Sequence, residues 1–561
     1  MTHHPNYEEA LRRIAEAART GATELDLSYL LLPIIPAELL KCEKLQSLNL
    51  SGNQISQLEN LPDGLQTLNL SYNPTKNFPP ELLGKSDYNC LSDWKAWQAD
   101  LKKGTAINQT VRLLVTGNGN VGKSSLVDAL RHGQCTVSHS STHAIRIETL
   151  PLHGSKPVTA QVFDFGGQEI YTGTHALFLR GRAVQLIVFD AETEKHPTVP
   201  DRITGETIRN QPLRHWVETI QRQSPDSQFV LVQNKMDCPD KLNPATVTFL
   251  TTCEDKGMIV AKVSATGGRG IPALHGHLCE AAYALPEYGL QMPLSWHNVR
   301  KYFIDNLAIT ATDRQKLIDK PAFDRLCKKR GVLPGSEPAL LRYLHRSGAV
   351  YHDEEYLTNT IIADQEWAIK AIYTALDRSG DLYERLRNQS YGKCQVRDLF
   401  SSLGDNYTPA QRWLLLNFME SCGLCFPVKE QDYEPANEQT YYIFPEFLPT
   451  ETPLAVSDFI SQGSPRTFQQ TLDFLPCAHV QQLIARWGLK TPIWNIGRTG
   501  LYVQTPEGGF ALTADREKHR LMLHVDSDMP ADWLDDLLKH FSYHNKPWDE
   551  INAPTSATSS K

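Results

Sequence analysis

Gly117-Asn118-Gly119-Asn120-Val121-Gly122-Lys123-Ser124-Ser125 constrains the fold of this chain more than any other segment. It follows the apolar run Val111-Arg112-Leu113-Leu114-Val115-Thr116 and opens into Leu126-Val127-Asp128-Ala129-Leu130, so the order reads strand, glycine-rich loop, helix. Glycine admits backbone geometry and a close approach that a Cβ would block. Successive N–H groups and the positive end of a helix can then surround phosphate oxygens. The pattern predicts a nucleoside triphosphate site, with Lys123 reaching the β/γ-phosphates and the Ser124 hydroxyl on Mg2+.

A phosphate grip alone does not separate ATP from GTP. The short apolar run Gln228-Phe229-Val230-Leu231-Val232-Gln233 suits a buried strand, and it delivers Asn234-Lys235-Met236-Asp237 at its carboxyl end, where ligands sit in an open α/β sheet. A carboxylate accepts hydrogen bonds from guanine N1–H and the exocyclic amine, and adenine offers no such pair of donors on that edge. Asp237 is thus the expected guanine reader. Asn234 is expected to tie this loop to the phosphate segment, and the Lys235 stem to lie along the purine. A later strand, Met258 to Val263, ends in Ser264-Ala265, where a backbone N–H could meet the guanine carbonyl. Between them, Ala160-Gln161-Val162-Phe163-Asp164-Phe165-Gly166-Gly167-Gln168-Glu169 reads as a strand ending in a carboxylate, two glycines and a glutamine. Asp164 suits the outer shell around Mg2+, the Gly167 amide suits the γ-phosphate, and Gln168 could orient the attacking water. Asp164-Phe165-Gly166 also spells a protein-kinase tripeptide, but no His-Arg-Asp catalytic loop precedes it. Of Ser140, Ser141 and Thr142, the hydroxyl expected to close over Mg2+ is Thr142, because His143-Ala144-Ile145-Arg146-Ile147 then resumes a strand pattern. His143 and His175 flank these loops, and both are read as packing or hydrogen-bonding residues.

These motifs, in this order, resemble the Ras-like small GTPases. The resemblance implies bound GTP or GDP with Mg2+, a catalytic set of Lys123, Thr142 and Gln168, and metal contacts from Ser124, Thr142 and Asp164. Phe165-Gly166 departs from the small pair usual in Ras, and no aromatic residue lies between Lys123 and Thr142 to stack on the base. Slow hydrolysis is the natural expectation, and Arg180 and Arg182 are close enough downstream to be tested as transition-state arginines.

The GTPase accounts for residues 108–284 of the 561. Before it, Leu45-Gln46-Ser47-Leu48-Asn49-Leu50-Ser51-Gly52-Asn53 recurs as Leu65-Gln66-Thr67-Leu68-Asn69-Leu70-Ser71-Tyr72-Asn73, with Leu25-Asp26-Leu27 as a degenerate earlier copy. This is the leucine-rich repeat pattern, in which leucines fill a solenoid and Asn53 and Asn73 bond the turning backbone. The solenoid is expected over 21–100, capped by an amphipathic helix within 1–20, and serves either as a partner-binding face or as a prop for the GTPase. After the GTPase, Pro286 to Pro293 reads as a linker. Met292-Pro293-Leu294-Ser295-Trp296, Leu340-Leu341-Arg342-Tyr343-Leu344-His345-Arg346-Ser347-Gly348 and Tyr441-Tyr442-Ile443-Phe444-Pro445-Glu446-Phe447-Leu448-Pro449 look like landmarks of a COR domain. The whole chain resembles a short Roco protein of the type seen in bacteria. The implied fold is multidomain: a short α/β leucine-rich-repeat solenoid, a Ras-like α/β P-loop GTPase with a central, mostly parallel sheet, and an α+β COR module in two subdomains, 294–380 and 388–550. The resemblance also implies COR-mediated homodimerisation that responds to the nucleotide. Residues 551–561 read as a disordered tail, and no kinase domain is expected.

A net charge of −8 without a basic block argues against nucleic-acid binding. No run of eighteen apolar residues suggests a membrane span, and Pro33 and Pro36 break the segment Leu30 to Leu40. Eleven cysteines without framework spacing fit reduced thiols and a cytoplasmic protein. The Cys422-Gly423-Leu424-Cys425 pair lacks the second pair that zinc would need and the context that thiol redox chemistry would need. The expected function is a GTP-hydrolysing switch; the alternative is a nucleotide-binding scaffold with little or no hydrolysis. An ATP-driven platform is disfavoured by Asn234 and Asp237.

Overall fold

The computed structural model describes residues 5–84, 88–135, 145–166, 181–200, 207–237, 242–307, 309–377, 380–428, 436–449, 451–462, 465–472, 475, 477–488, 495–515, 518–542 and 547–551. The fold divides into two compact units, with the main boundary between Ala368 and Ile369. That boundary falls inside the helix Gln365–Ala375, within the stretch 294–380 expected to be one subdomain.

In the first unit a six-stranded sheet runs, edge to edge, Ile259–Lys262, Gln228–Gln233, Val184–Phe189, Thr110–Thr116, Val158–Phe165 and Ile145–Leu152. Neighbouring strands pair in parallel except the last, which runs antiparallel to Val158–Phe165. Strands buried on both faces need near-continuous apolar runs, and Val184–Phe189 is buried at every position. No motif marks that strand in the sequence, yet it joins the two halves of the sheet. Helices Lys123–His132 and Ile271–Tyr283 bring Leu126, Val127, Leu130, Leu274 and Leu278 into one core with Val111, Leu113, Val115 and Val162. The sheet therefore presents the carboxyl ends of its parallel strands, and the loops that leave them, along one edge.

The N-terminal helix Pro5–Thr20 buries Ala10, Ile14 and Ala17. Three short parallel strands follow, Glu24–Asp26, Ser47–Asn49 and Thr67–Asn69, with Leu25, Leu48 and Leu68 in register. Asn53 satisfies the turning backbone between them. Its Nδ2 donates to Leu27 O at 2.8 Å and Leu50 O at 2.9 Å, and its Oδ1 accepts from the Leu30 and Leu32 N–H groups, each at 3.0 Å. Asn73 repeats the arrangement, donating to Leu50 O at 2.8 Å and accepting from Ile55 N–H at 3.0 Å. So small a stack leaves its far end uncovered unless something packs there. The helix Leu91–Leu101 places Trp97 edge-on to Trp296 at 5.2 Å between centroids. Buried Asp100 accepts from Ser295 Oγ at 3.1 Å, Trp296 Nε1 at 3.2 Å and Leu333 N–H at 3.0 Å. A single hydrophobic core thus continues from Ala10 through Trp97 to Phe303, Phe323, Leu344 and Ile361.

The stretch read as a linker is pinned on both sides. Asn108 donates through Nδ2 to Glu287 O at 2.7 Å, its N–H donates to Leu290 O at 2.9 Å, and Gln291–Pro293 pairs antiparallel with Thr105–Ile107. Proline and glycine here shape a tight reversal rather than a loose tether. Farther along, Gly348, with φ +75°, leaves room for Arg112, whose guanidinium also lies 5.3 Å from the Phe163 ring centroid. Gln161, one strand over, donates to Gly348 O at 3.0 Å.

The second unit contains an antiparallel six-stranded sheet in the order Asn495–Gly497, Gly500–Thr505, Gly508–Asp515, Arg520–Val525, Arg466–Thr471, Asp549–Glu550. Trp487, Phe510, Leu537 and Phe541 fill its core. A smaller sheet of Lys393–Gln395, Tyr441–Ile443 and Phe426–Pro427 accompanies the helix Pro409–Ser421, whose start is a capping box of Thr408 and Gln411. Cys422 and Cys425 are buried, and desolvation holds the Cys425 thiol well above its ordinary pKa, as fits a packed thiol. Among the described residues no helix is long and apolar enough to cross a membrane.

Candidate nucleotide-binding site

The loop from Gly117 to Ser125 leaves the strand Thr110–Thr116 and enters the helix Lys123–His132. Two of its glycines are required by space. A Cβ on Gly117, at φ +136°, would lie 2.0 Å from the backbone oxygen of Val188; one on Gly122, at φ +86°, would lie 2.6 Å from Asn234 Nδ2. Asn120 also takes a positive φ, of 61°, which asparagine tolerates better than most residues. Asn120 is the exposed member, Val121 is buried, and Gly119 and Ser125 are half-buried.

Lys123 is buried, and its Nζ donates to the carbonyls of Gly117 at 3.0 Å and Asn118 at 2.7 Å. Desolvation brings its pKa down to about 8, against the pull of Asp164. The Ser124 hydroxyl donates to Asp164 Oδ2. Asp164 is fully buried, and desolvation raises its pKa to about 6 despite that hydrogen bond and the nearby Lys123. Its other oxygen, Oδ1, is buried without a hydrogen-bond partner among the described residues. A hydroxyl and a carboxylate side by side, with one carboxylate oxygen unsatisfied, is a donor set that suits a hard divalent cation.

Asn234 joins the two loops expected to hold the nucleotide. Its Nδ2 donates to Val121 O at 3.0 Å, and its Oδ1 accepts from the Ala265 N–H at 3.1 Å. Lys235 adopts φ +62° and pairs with Asp190 Oδ2 at 2.5 Å, so its head is anchored. Asp237 is exposed and lies beside the 264–267 turn, 3.6 Å from where a Cβ on Gly267 would stand. The amides of Ser264 and Ala265 are both engaged within the protein, Ser264 N–H with Arg269 O and Ala265 N–H with Asn234. In this conformation the expected base contact therefore needs an amide to change partner. Ser264 Oγ accepts from Gly267 N–H at 2.8 Å and closes the turn.

Thr142, Gly167 and Gln168, with Ser140, Ser141, His143, His175 and Arg180, lie outside the described residues. Arg182 pairs with Asp226 at 3.2 Å. One participant carries no motif in the sequence, and another gains a second role. Asp190 caps the short helix Ala191–Lys195 and anchors Lys235. Asn118, expected as a nucleotide-binding member of the phosphate loop, uses its side chain to bond Gln211 and Trp216. The only hint for Asp190 was its place just beyond an apolar strand.

Two family models match: "Ras of Complex, Roc, domain of DAPkinase" over residues 112–237, and "C-terminal of Roc, COR-A domain" over 293–448. The chain carries a Roc domain followed by a COR-A domain. A "Roc-COR-CHAT protease" of Runella zeae is 23% identical over 73% of this chain, which spans only 44% of that relative's length. "Ras-related protein Rab-5B" of Plasmodium falciparum is 26% identical over 33% of this chain and 84% of its own. A solved structure, "Structure of methanosarcina barkeri Roco2 RocCORdC bound to GDP", is 21% identical, covers 62% of this chain and 98% of its own, and superposes with a TM-score of 0.45. The Roc and COR-A matches, with the Roc-COR and Rab relatives, support a Roco-type chain with a Ras-like Roc domain.

Proposed function

We propose that the chain is a Mg2+-dependent GTP-binding and GTP-hydrolysing switch of the Roco type, slow in hydrolysis, whose nucleotide state alters COR-mediated homodimerisation. The observation that carries the reading is Asn234, bonded to the phosphate loop at Val121 and to the Ala265 turn, because it ties the segment that carries the exposed Asp237 to the loop that carries Lys123. Asp237 takes guanine's N1–H and amine. Lys123 supplies positive charge at the β/γ-phosphates, and its burial strengthens that attraction. Ser124 and Asp164 hold Mg2+, which neutralises phosphate charge when bound. Thr142, Gly167 and Gln168 complete the γ-phosphate side, with Gln168 orienting water. The repeating asparagine-bonded strands before the Roc domain are read as short leucine-rich repeats with room for a protein partner, and the protein as cytoplasmic.

Purified chain incubated with GTP or ATP and followed for phosphate release tests this. Release from GTP alone, lost in Lys123→Ala, is expected. GTP binding without release would favour the scaffold reading, and release from ATP would remove Asp237 as reader.

A further inference from the structure

The side chain of Asn118 faces away from the phosphate chemistry of its loop, yet it is 5% exposed and engaged at both polar atoms. Its Nδ2 donates to Gln211 O at 2.7 Å, while its Oδ1 accepts from Gln211 N–H at 3.0 Å and from Trp216 Nε1 at 3.2 Å. An amide paired in both directions with the backbone of one residue fixes two chain segments much as a strand pair does. The carbonyl of the same Asn118 accepts from Lys123 Nζ at 2.7 Å. One residue is therefore held at one end by the phosphate-binding lysine and at the other by the start of helix Leu213–Gln223.

That helix start is anchored in turn. Leu213 N–H donates to Glu194 Oε1 at 2.9 Å, and Glu194 Oε2 accepts from Thr246 Oγ1 at 2.7 Å. Asn243 Nδ2 donates to Glu194 O at 2.8 Å and caps the helix Pro244–Asp255 that follows the guanine-reading loop. Hydrogen bonds and the short backbone stretch Gln211–Leu213 thus link the phosphate loop through Glu194 to Asn243 and Thr246 at the start of the helix Pro244–Asp255.

We propose that Asn118 is a positioning residue for the phosphate site: it sets the carbonyl that orients Lys123 and passes phosphate occupancy to the Gln211–Trp216 segment, with the Trp216 indole as reporter. This rests on the guanine-nucleotide reading above. Lys123 reaches the β/γ-phosphates, so the effect of Asn118 falls on ligands that carry a β-phosphate. A residue that only packed the fold would affect GDP and GMP alike.

The test is calorimetric titration of the full chain, Asn118→Ala and Trp216→Phe with GDP and with GMP, alongside tryptophan emission. Wild-type emission changes on GDP binding, and Trp216→Phe abolishes that change. Asn118→Ala weakens GDP about tenfold, the scale of losing buried hydrogen bonds, and leaves GMP nearly unaltered. Trp216→Phe, which keeps an aromatic ring of smaller size and loses the Nε1–H hydrogen bond, shows a smaller loss of the same kind and carries the test if Asn118→Ala does not fold. Equal losses for GDP and GMP, or wild-type GDP affinity in both variants, would overturn the proposal. A wild-type chain that binds neither nucleotide would instead overturn the nucleotide reading itself.

Discussion

Lys123 and Asp164 are two opposite charges buried together, and desolvation moves each toward neutrality, to pKa values of about 8 and about 6. Phosphate favours the charged lysine, so above about pH 8 nucleotide binding must take up a proton. GDP affinity is expected to be flat up to that point and to fall beyond it, and titration in buffers of different ionisation heat reads the proton uptake directly. Mg2+ needs the carboxylate, so metal affinity should fall as pH drops through about 6. The sign for stability is opposite. Because the folded pKa of Asp164 lies above its ordinary 3.8, its favourable contribution to the metal-free fold is present in acid and lost as pH rises through about 6. Lys123→Ala should abolish tight binding of both GTP and GDP, checked with a fluorescent GDP analogue. Asp237→Asn should shift preference toward xanthine, since an amide offers a donor to the C2 carbonyl; competition that still ranks GTP far above XTP removes Asp237 as reader.

At the scale of elements, the loop Gly117–Ser125 keeps its shape because backbone meets backbone at Gly117. Gly117→Ala puts a Cβ against the Val188 carbonyl at 2.0 Å, with no side chain free to yield. The expected outcome is a folded chain whose melting temperature no longer rises with GDP. The turns of the N-terminal stack depend on side chains instead. Asn53 is 4% exposed and makes four hydrogen bonds to backbone. Asn53→Ala strands those groups and should cost about 2–4 kcal/mol in urea unfolding. Both elements were legible as motifs because their roles lie in consecutive residues. The strand Val184–Phe189 was not, since it is apolar except for Gln185 and carries no local signature of a site.

At the scale of the molecule, the shared core alters how the coupling idea is tested. Ending the chain before Pro286 would strip Trp296, Phe303 and Leu344 from the core that also holds Trp97 and Leu68. A chain ending at Asp377, past the helix Gln365–Ala375, keeps that core and is expected to bind GDP as a monomer. For the full chain, GTP- and GDP-bound forms should differ in dimer dissociation constant by roughly fivefold to 150-fold, the range of about 1 to 3 kcal/mol of coupling. Mass photometry across a dilution series measures it. Equal association with GDP and a non-hydrolysable GTP analogue would end the dimer-switch proposal.

The sequence by itself determined the glycine-rich loop between strand and helix, the Asn234–Asp237 segment at a strand's carboxyl end and the asparagine-bonded turns. In each, backbone geometry is encoded by neighbouring residues, through glycine at positive φ, a capping side chain or alternating leucines. Only the tertiary structure decided that Asn118 ties the loop to Gln211, that Asp190 anchors Lys235, that Ala265 N–H is engaged by Asn234, and that the N-terminal stack shares one core with residues 290–363. Those roles depend on partners far apart along the chain, and a hydrogen bond or a buried contact between them exists only once the sheet has brought them together.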